Sequence, residues 1–275
     1  MKSWFITGIS RGLGLALARA VLADGDTVVG TVRGTAAPLT ADAGRLRLLH
    51  ADMADEAAAV STVHEAFQAH GPIDVVVNNA GYGLLGTVET STDEELRHLF
   101  EVDVFAPIRV VRTALPYLRT QGSGHIVNIT SIAGRAPGPG IALYAAAKHA
   151  LEGFSASLAQ ELAPLGIRVT AVAPGQFRTD FLDQRSVRMS RPADSAYDTS
   201  VGTSLVALDK INHHQLGDPA RAARAIIEAV RSDKPPLHLL LGSDALRRAR
   251  EKSAAQASEM EAWEALSKGT DCDDL

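Results

Sequence analysis

The sequence predicts an α/β fold: a doubly wound parallel sheet of about seven strands with helices on both faces. Three observations carry that expectation. Short apolar segments alternate with Ala- and Leu-rich helical segments along the whole chain. A glycine-rich turn follows the first apolar segment and opens the first helix. The segment IDVVV, residues 73–77, is almost wholly apolar, as a strand covered on both faces must be. At 275 residues and 46% hydrophobic, the chain has enough material for one large core, so residues 1–275 are expected to form a single domain.

The elements follow in order. Residues 2–7 form a first strand, and TGISRGLG (7–14) a glycine turn leading into a helix that closes near Gly25. Gly8 permits a tight turn, while Gly12 and Gly14 let backbone and helix N-terminus approach a pyrophosphate, whose charge suits the free N–H groups and the helix dipole. An ordinary strand-to-helix turn is the plainer reading of the same residues. Residues 27–32 are the second strand. Where a fold binding NAD places an acid on the ribose hydroxyls, this chain has Thr31, Val32 and Arg33. Arg33, with Arg11 from the turn, suits a 2′-phosphate, so NADP(H) is expected over NAD(H); otherwise Arg33 is a solvated loop charge.

A third strand spans 46–51 and ends in Asp52 and Met53; a helix over 55–70 closes at Gly71-Pro72. Strand 73–77 runs into Asn78, Asn79, Ala80 and Gly81, small enough for a flat ligand to lie close. A long helical stretch runs from Thr92 to about Arg119, with Thr92 and Glu95 spaced as a capping box, a kink expected at Pro107 and an end at Pro116. Strand 125–130 delivers Ser131. Strand 167–173 ends in Pro174-Gly175. Residues 178–217 are polar and too long for a simple connection, and read as a substrate lid with one or two short helices. A helix over 218–231, a last strand over 237–241 and a charged helical extension from 243 to about 268 complete the chain.

Net charge −5 argues against nucleic-acid or anionic-membrane binding. The single cysteine, Cys272, permits no disulfide within the chain, which suits a reducing, cytoplasmic setting. No apolar run is long enough for a signal peptide or membrane span. His213-His214 has no matching cluster nearby, so no metal is expected.

Chemistry concentrates between Ser131 and Phe154. Tyr144 lies thirteen residues after Ser131 and four before Lys148, so phenol and ammonium share one helical face. A phenol titrates near pH ~10 in water, and a neighbouring cation lowers that value. Ser131 can hold the oxygen of a carbonyl or alcohol. Taken alone, Tyr144 is equally well a half-buried anchor and Lys148 a solvated charge. Since the glycine turn, Arg33, Asp52, Asn79, Ser131 and Pro174 all follow strand ends, they fall on one sheet edge, where ligands of such sheets bind.

These motifs, in this order and spacing, resemble the short-chain dehydrogenase/reductase family over nearly the whole chain, especially single-domain, NADP-preferring members acting on hydroxysteroids, retinoids and other ketones. The resemblance implies a Rossmann-type fold and hydride transfer between a nicotinamide and a secondary alcohol, ketone or aldehyde. It implies Tyr144 as general acid/base, Ser131 as holder of the substrate oxygen, and Lys148 on the nicotinamide ribose. Cofactor contacts carry over to Gly8, Ser10, Arg11, Gly12, Leu13, Gly14, Arg33, Asp52, Met53, Asn79, Ala80, Gly81, Tyr144, Lys148, Pro174, Gly175, Phe177 and Thr179. The substrate side is expected at Ser131, Tyr144, Tyr82, Leu84, Leu85, the 137–141 loop with Ile141, Gln176 and the lid. One position departs: where the family usually has an Asn that serves a proton relay, this chain has Asp103, whose carboxylate could draw the Lys148 charge away from Tyr144. His149, turned about 100° from Lys148 on an ideal helix, is expected to be structural. The resemblance also implies a homodimer or homotetramer, formed through the helices beginning near Thr92 and Tyr144. A non-catalytic NADP(H) sensor or scaffold, with Asp103 marking lost catalysis, is the second reading; an epimerase or dehydratase is a third, disfavoured by the glycine spacing.

Overall fold

The computed structural model describes residues 1–34, 39–40, 44–183 and 186–272; residues 35–38, 41–43, 184–185 and 273–275 lie outside it. The main sheet is parallel throughout, in the order β3-β2-β1-β4-β6-β7-β9. Its strands are β1 (Ser3–Ile6), β2 (Thr27–Val32), β3 (Leu46–His50), β4 (Val75–Asn78), β6 (Gly124–Ile129), β7 (Ile167–Pro174) and β9 (His238–Leu241). A parallel strand needs a crossover, and right-handed crossovers put helices on alternate faces as the winding reverses between β1 and β4. Strand alternation decides which side chain meets which helix layer. Phe5 and Val76 pack with α2 (Glu56–His70), α4 (Ala106–Gln121) and α5 (Ala142–Leu162). Trp4, Ile6, Val75 and Val77 pack on the other face with α1 (Gly12–Ala23) and α7 (Pro219–Arg231). The expected doubly wound α/β sheet is the observed one.

Helix ends match their sequence signals. The Asp55 side chain accepts the Ala58 N–H at 3.0 Å at the start of α2, and Asp218 caps α7. Thr92 and Glu95 form the capping box of α3 (Asp93–Phe100), each side chain accepting the other's backbone N–H, at 3.2 and 2.8 Å. The kink expected at Pro107 takes the form of a π-helical turn, Glu101–Phe105, just before it. Proline has no N–H to close on the Asp103 carbonyl, so the α ladder cannot pass through unchanged. Pro116 does not end the helix as expected. The chain stays helical to Gln121, because Val110, Val111, Ala114 and Leu118 are buried against the sheet, and the end comes instead at Gly122, in the left-handed region at φ 68°.

Two short strands, β5 (Gly83–Leu85) and β8 (Val187–Met189), pair in parallel above the sheet edge, and neither carried a legible sequence signal. Residues 178–217 contain short 3₁₀ and π turns and one α-helix, α6 (Thr203–Ile211). The C-terminal extension is helical as α8 (Ser243–Ala262) and α9 (Glu264–Lys268). Among the described residues no helix is long and apolar enough to cross a membrane.

Candidate active site

The site lies beyond the carboxyl ends of β1, β4, β6 and β7, in a cavity of about 290 Å³. At one end is the glycine turn. Gly8 and Gly12 take φ 73° and 58°, which only glycine adopts without strain. A Cβ on Gly14 would stand 2.3 Å from Asn79 Nδ2 and 2.4 Å from the Gly8 carbonyl. Asn79 needs that space: its Nδ2 donates to the Thr7 and Gly8 carbonyls at 2.9 and 3.0 Å, while its own N–H and that of Ala80 donate to Thr7 Oγ1. The NNAG turn therefore braces the glycine turn.

Helix α1 opens into the cavity with no side-chain cap and no acid in its first turn. Its leading N–H groups and dipole are suited to an anion. Arg33 lies exposed farther along, beside Asp52 and Met53. An uncapped helix start and a close backbone approach fit a dinucleotide, whose pyrophosphate the turn would hold.

At the other end stand Ser131, Tyr144 and Lys148. The Ser131 side chain accepts the Ala133 N–H at 3.1 Å, fixing the chain as it leaves β6, and Ser131 and Tyr144 line the same cavity. Tyr144 and Lys148 sit on the buried face of α5, with Lys148 Nζ 5.8 Å from the phenol ring centroid and donating to the Ile129 carbonyl at 3.2 Å. Behind Lys148, off the cavity wall, Asp103 is fully buried. Its Oδ2 stands 3.0 Å from Lys148 Nζ, and its Oδ1 accepts the Tyr82 N–H at 3.1 Å. Gly81 permits this approach, since a Cβ there would lie 3.3 Å from both Lys148 Nζ and the Asp103 oxygens.

Burial sets the protonation of the group. It pushes the Tyr144 phenol above its ordinary value; Lys148 and Ser131 pull it down, and Asp103 pushes it up. The expectation that the neighbouring Lys148 lowers the phenol's value is thus corrected: desolvation, with the Asp103 carboxylate, outweighs it. Burial also raises the Asp103 carboxyl, against the pull of Lys148. For Lys148 burial works against the charge, but Asp103 and Tyr144 overcome it and carry the ammonium above its usual value. The lysine remains a cation.

Every residue expected to contact cofactor lines this cavity, as do Ser131, Tyr82, Leu85, Ile141 and Gln176. Leu84 does not. It is 2% exposed and packs with Leu99, Val104 and Ala147, because alternation along β5 turns Gly83 and Leu85 to the cavity and Leu84 to the core. Of the 137–141 loop, only Ile141 reaches the cavity. His149 Nδ1 hydrogen-bonds the Gly134 carbonyl at 2.6 Å, a structural role. Among the described residues no cluster of three or more His, Cys, Asp or Glu side chains is placed to hold a metal.

A model of the short chain dehydrogenase family matches residues 2–189. The chain belongs to the short-chain dehydrogenase/reductase family. It is 36% identical to "Oxidoreductase BOA17" of Botryotinia fuckeliana, over 97% of this chain and 98% of that one. It is 32% identical to a 3-ketodihydrosphingosine reductase of Bacteroides thetaiotaomicron, over 86% of each. A crystal structure of a short-chain dehydrogenase from Streptomyces avermitilis superposes with TM-score 0.92 at 39% identity, over 98% of this chain and all of that one. The structure described as ElxO with NADP bound superposes with TM-score 0.73 at 25% identity, over 90% and 99%. Membership makes this an oxidoreductase of that family.

In this family member, several residues that shape the site escaped the sequence reading. Phe181, Leu182, Leu208 and Gln215 of the lid line the cavity with Arg248 of α8, and the Phe181 ring lies 6.0 Å from that of Tyr144. Glu152 ties three elements together: it accepts from Thr130 Oγ1 at 2.6 Å and Arg135 at 2.7 Å, and stands 3.1 Å from His238. A signal for Glu152 was present, since it lies one turn beyond Lys148 on the same face of α5.

Proposed function

We propose that this protein is an NADP(H)-dependent alcohol dehydrogenase or carbonyl reductase, acting on an uncharged, moderately hydrophobic secondary alcohol, ketone or aldehyde. One observation carries the reading: Ser131, Tyr144 and Lys148 share a cavity with an uncapped glycine turn and an exposed Arg33. The nicotinamide would supply or accept the hydride. Ser131 donates a hydrogen bond to the substrate oxygen and fixes the carbonyl carbon. Tyr144 gives that oxygen its proton in reduction and takes it back in oxidation. Lys148, held cationic by Asp103, stabilises the phenolate left behind and is placed to bond the nicotinamide ribose. Gly8, Gly12 and Gly14 bring the α1 N-terminus to the pyrophosphate, and Arg33 binds the 2′-phosphate. Pro174, Gly175 and Thr179 hold the carboxamide side. Phe181, Leu182 and Leu208 present apolar walls and exclude water. A relative named 3-ketodihydrosphingosine reductase and a neighbour with NADP bound support the substrate class and the cofactor.

We place residues 1–275 in one catalytic domain with the lid at 178–217, working in the cytoplasm as a homo-oligomer. The test is turnover of apolar ketones and aldehydes with NADPH against NADH. NADPH-dependent reduction is expected; tight NADP(H) binding without turnover of any carbonyl would favour the second reading, a sensor or scaffold. The observation behind that second reading is the Asp103–Lys148 contact, which diverts part of the lysine charge from Tyr144.

A further inference from the structure

Helix α8 leaves the body of the protein soon after it begins. Ala245 is buried, and Ala249 packs on the small cluster of Ile132 and Ala136, but residues 250–272 are exposed without exception. Met260, Trp263 and Leu266 are 69%, 60% and 65% exposed. Helices gain most of their stability in proteins from a packed face, and beyond Ala249 this one has none among the described residues.

The sequence of α8 and of α9, which follows it across a turn at Trp263, says what would cover it. Reading Leu246 as heptad position a, the a and d positions are Leu246, Ala249, Ser253, Gln256, Met260 and Trp263, apolar at both ends with one polar layer in the middle. The flanking e positions are Arg250, Ala257 and Glu264, and the g positions Lys252, Glu259 and Leu266. Basic residues flank the first half of the stripe and acidic residues the second. Two such helices related by a two-fold axis between Ala254 and Ala255 run antiparallel. Leu246 then meets the partner's Trp263, Ala249 the partner's Met260, and Ser253 the partner's Gln256. In that register Arg250 faces the partner's Glu264, and Lys252 faces the partner's Glu259. The two-fold axis repeats both pairs. A parallel alignment would instead set Glu259 against the partner's Glu264, a repulsion.

We infer that α8 is a self-association surface, pairing antiparallel with α8 of a second copy of this chain. Among the described residues the intrachain ion pairs leave the pairing charges largely available: Arg247 bonds Glu251 on the outer face, and of the four charges only Glu264 is shared, with Lys268. The surface is separate from the helices beginning near Thr92 and Tyr144. It also reaches the active site, because Asp244 accepts the Gln176 N–H at 2.9 Å and Arg248 donates to the Ala136 carbonyl at the root of the same helix.

The test is the mass of the full chain by light scattering and sedimentation, for wild type, Arg250→Glu/Lys252→Glu, Glu259→Lys/Glu264→Arg, and an equimolar mixture of the two variants. Each variant alone carries one sign along the whole seam and is expected to fall to half the wild-type mass. The mixture, which pairs an all-acidic with an all-basic helix, is expected to recover it. All four positions are exposed and outside the catalytic machinery, so turnover per folded chain serves as the control. A monomeric wild type, variants that keep the wild-type mass, or a mixture that fails to recover it would each overturn the inference.

Discussion

Replacing Asp103 by Asn removes a buried charge while keeping the shape, and its consequence can be worked from the distances. A full ammonium charge 5.8 Å from the Tyr144 ring is worth about 3 kcal/mol to a phenolate at an effective dielectric constant of about 20. A carboxylate 3.0 Å from that ammonium turns the charge into a dipole and cancels on the order of half of it. Asp103→Asn should restore about 1.4 kcal/mol, or about tenfold in phenolate at fixed pH. The amide oxygen can still accept the Tyr82 N–H, and Lys148 keeps the Ile129 carbonyl at 3.2 Å. The variant should stay folded, with a loss of about 3–5 kcal/mol from breaking the buried pair. The assay is the pH dependence of kcat/KM for alcohol oxidation, with far-UV circular dichroism at each pH. Because Asp103 raises the phenol, its removal should carry the rising limb to lower pH. A limb that stays put, or moves to higher pH, would refute the electrostatic account of Asp103.

Further outcomes follow from other contacts. Tyr144→Phe should cost on the order of 10²–10⁴ in kcat while NADPH affinity, read by fluorescence, changes only a few-fold. Arg33→Ala should raise the KM for NADPH by about 10- to 100-fold, the worth of a charge-assisted hydrogen bond, and leave the KM for NADH nearly unchanged. Gly14→Ala places a methyl 2.3 Å from Asn79 Nδ2, so stability should fall by about 1–3 kcal/mol and NADPH affinity with it, by chemical denaturation and titration. His125 is buried against Thr170 at 2.8 Å, and burial lowers its value from 6.5 to about 4. The unfolded chain therefore binds the extra proton between those values. Stability present above pH ~6.5 should be lost by about 3 kcal/mol as the pH falls toward ~4. His125→Phe should flatten that acid limb in denaturant midpoints.

Much of this architecture was legible in the sequence because it rests on periodicity and punctuation. The almost wholly apolar IDVVV, the Thr92–Glu95 box and the strand–glycine turn–helix order each took the predicted place in the fold. Pro116 misled because a local rule, the missing N–H, was overridden by tertiary burial of Val110, Val111, Ala114 and Leu118. Leu84 was misplaced because a strand of three residues shows no alternation from which to read its facing. The Asp103 ion pair was foreseeable only as a proximity; its burial, and the weight of desolvation on Tyr144, depend on packing that no spacing reports. The residues Phe181, Leu182 and Leu208 were unreadable one by one, since a short 3₁₀ turn and a separate helix bring together positions with no shared period.

The most direct test of the central claim is a single turnover with 4-deuterated NADPH, using both deuterium epimers, and an apolar ketone, followed by mass analysis of the alcohol. The account predicts deuterium at the carbinol carbon from one epimer only, with transfer slowed on the order of 10²–10⁴ in Tyr144→Phe. Saturating NADPH binding with no label in any alcohol would contradict it.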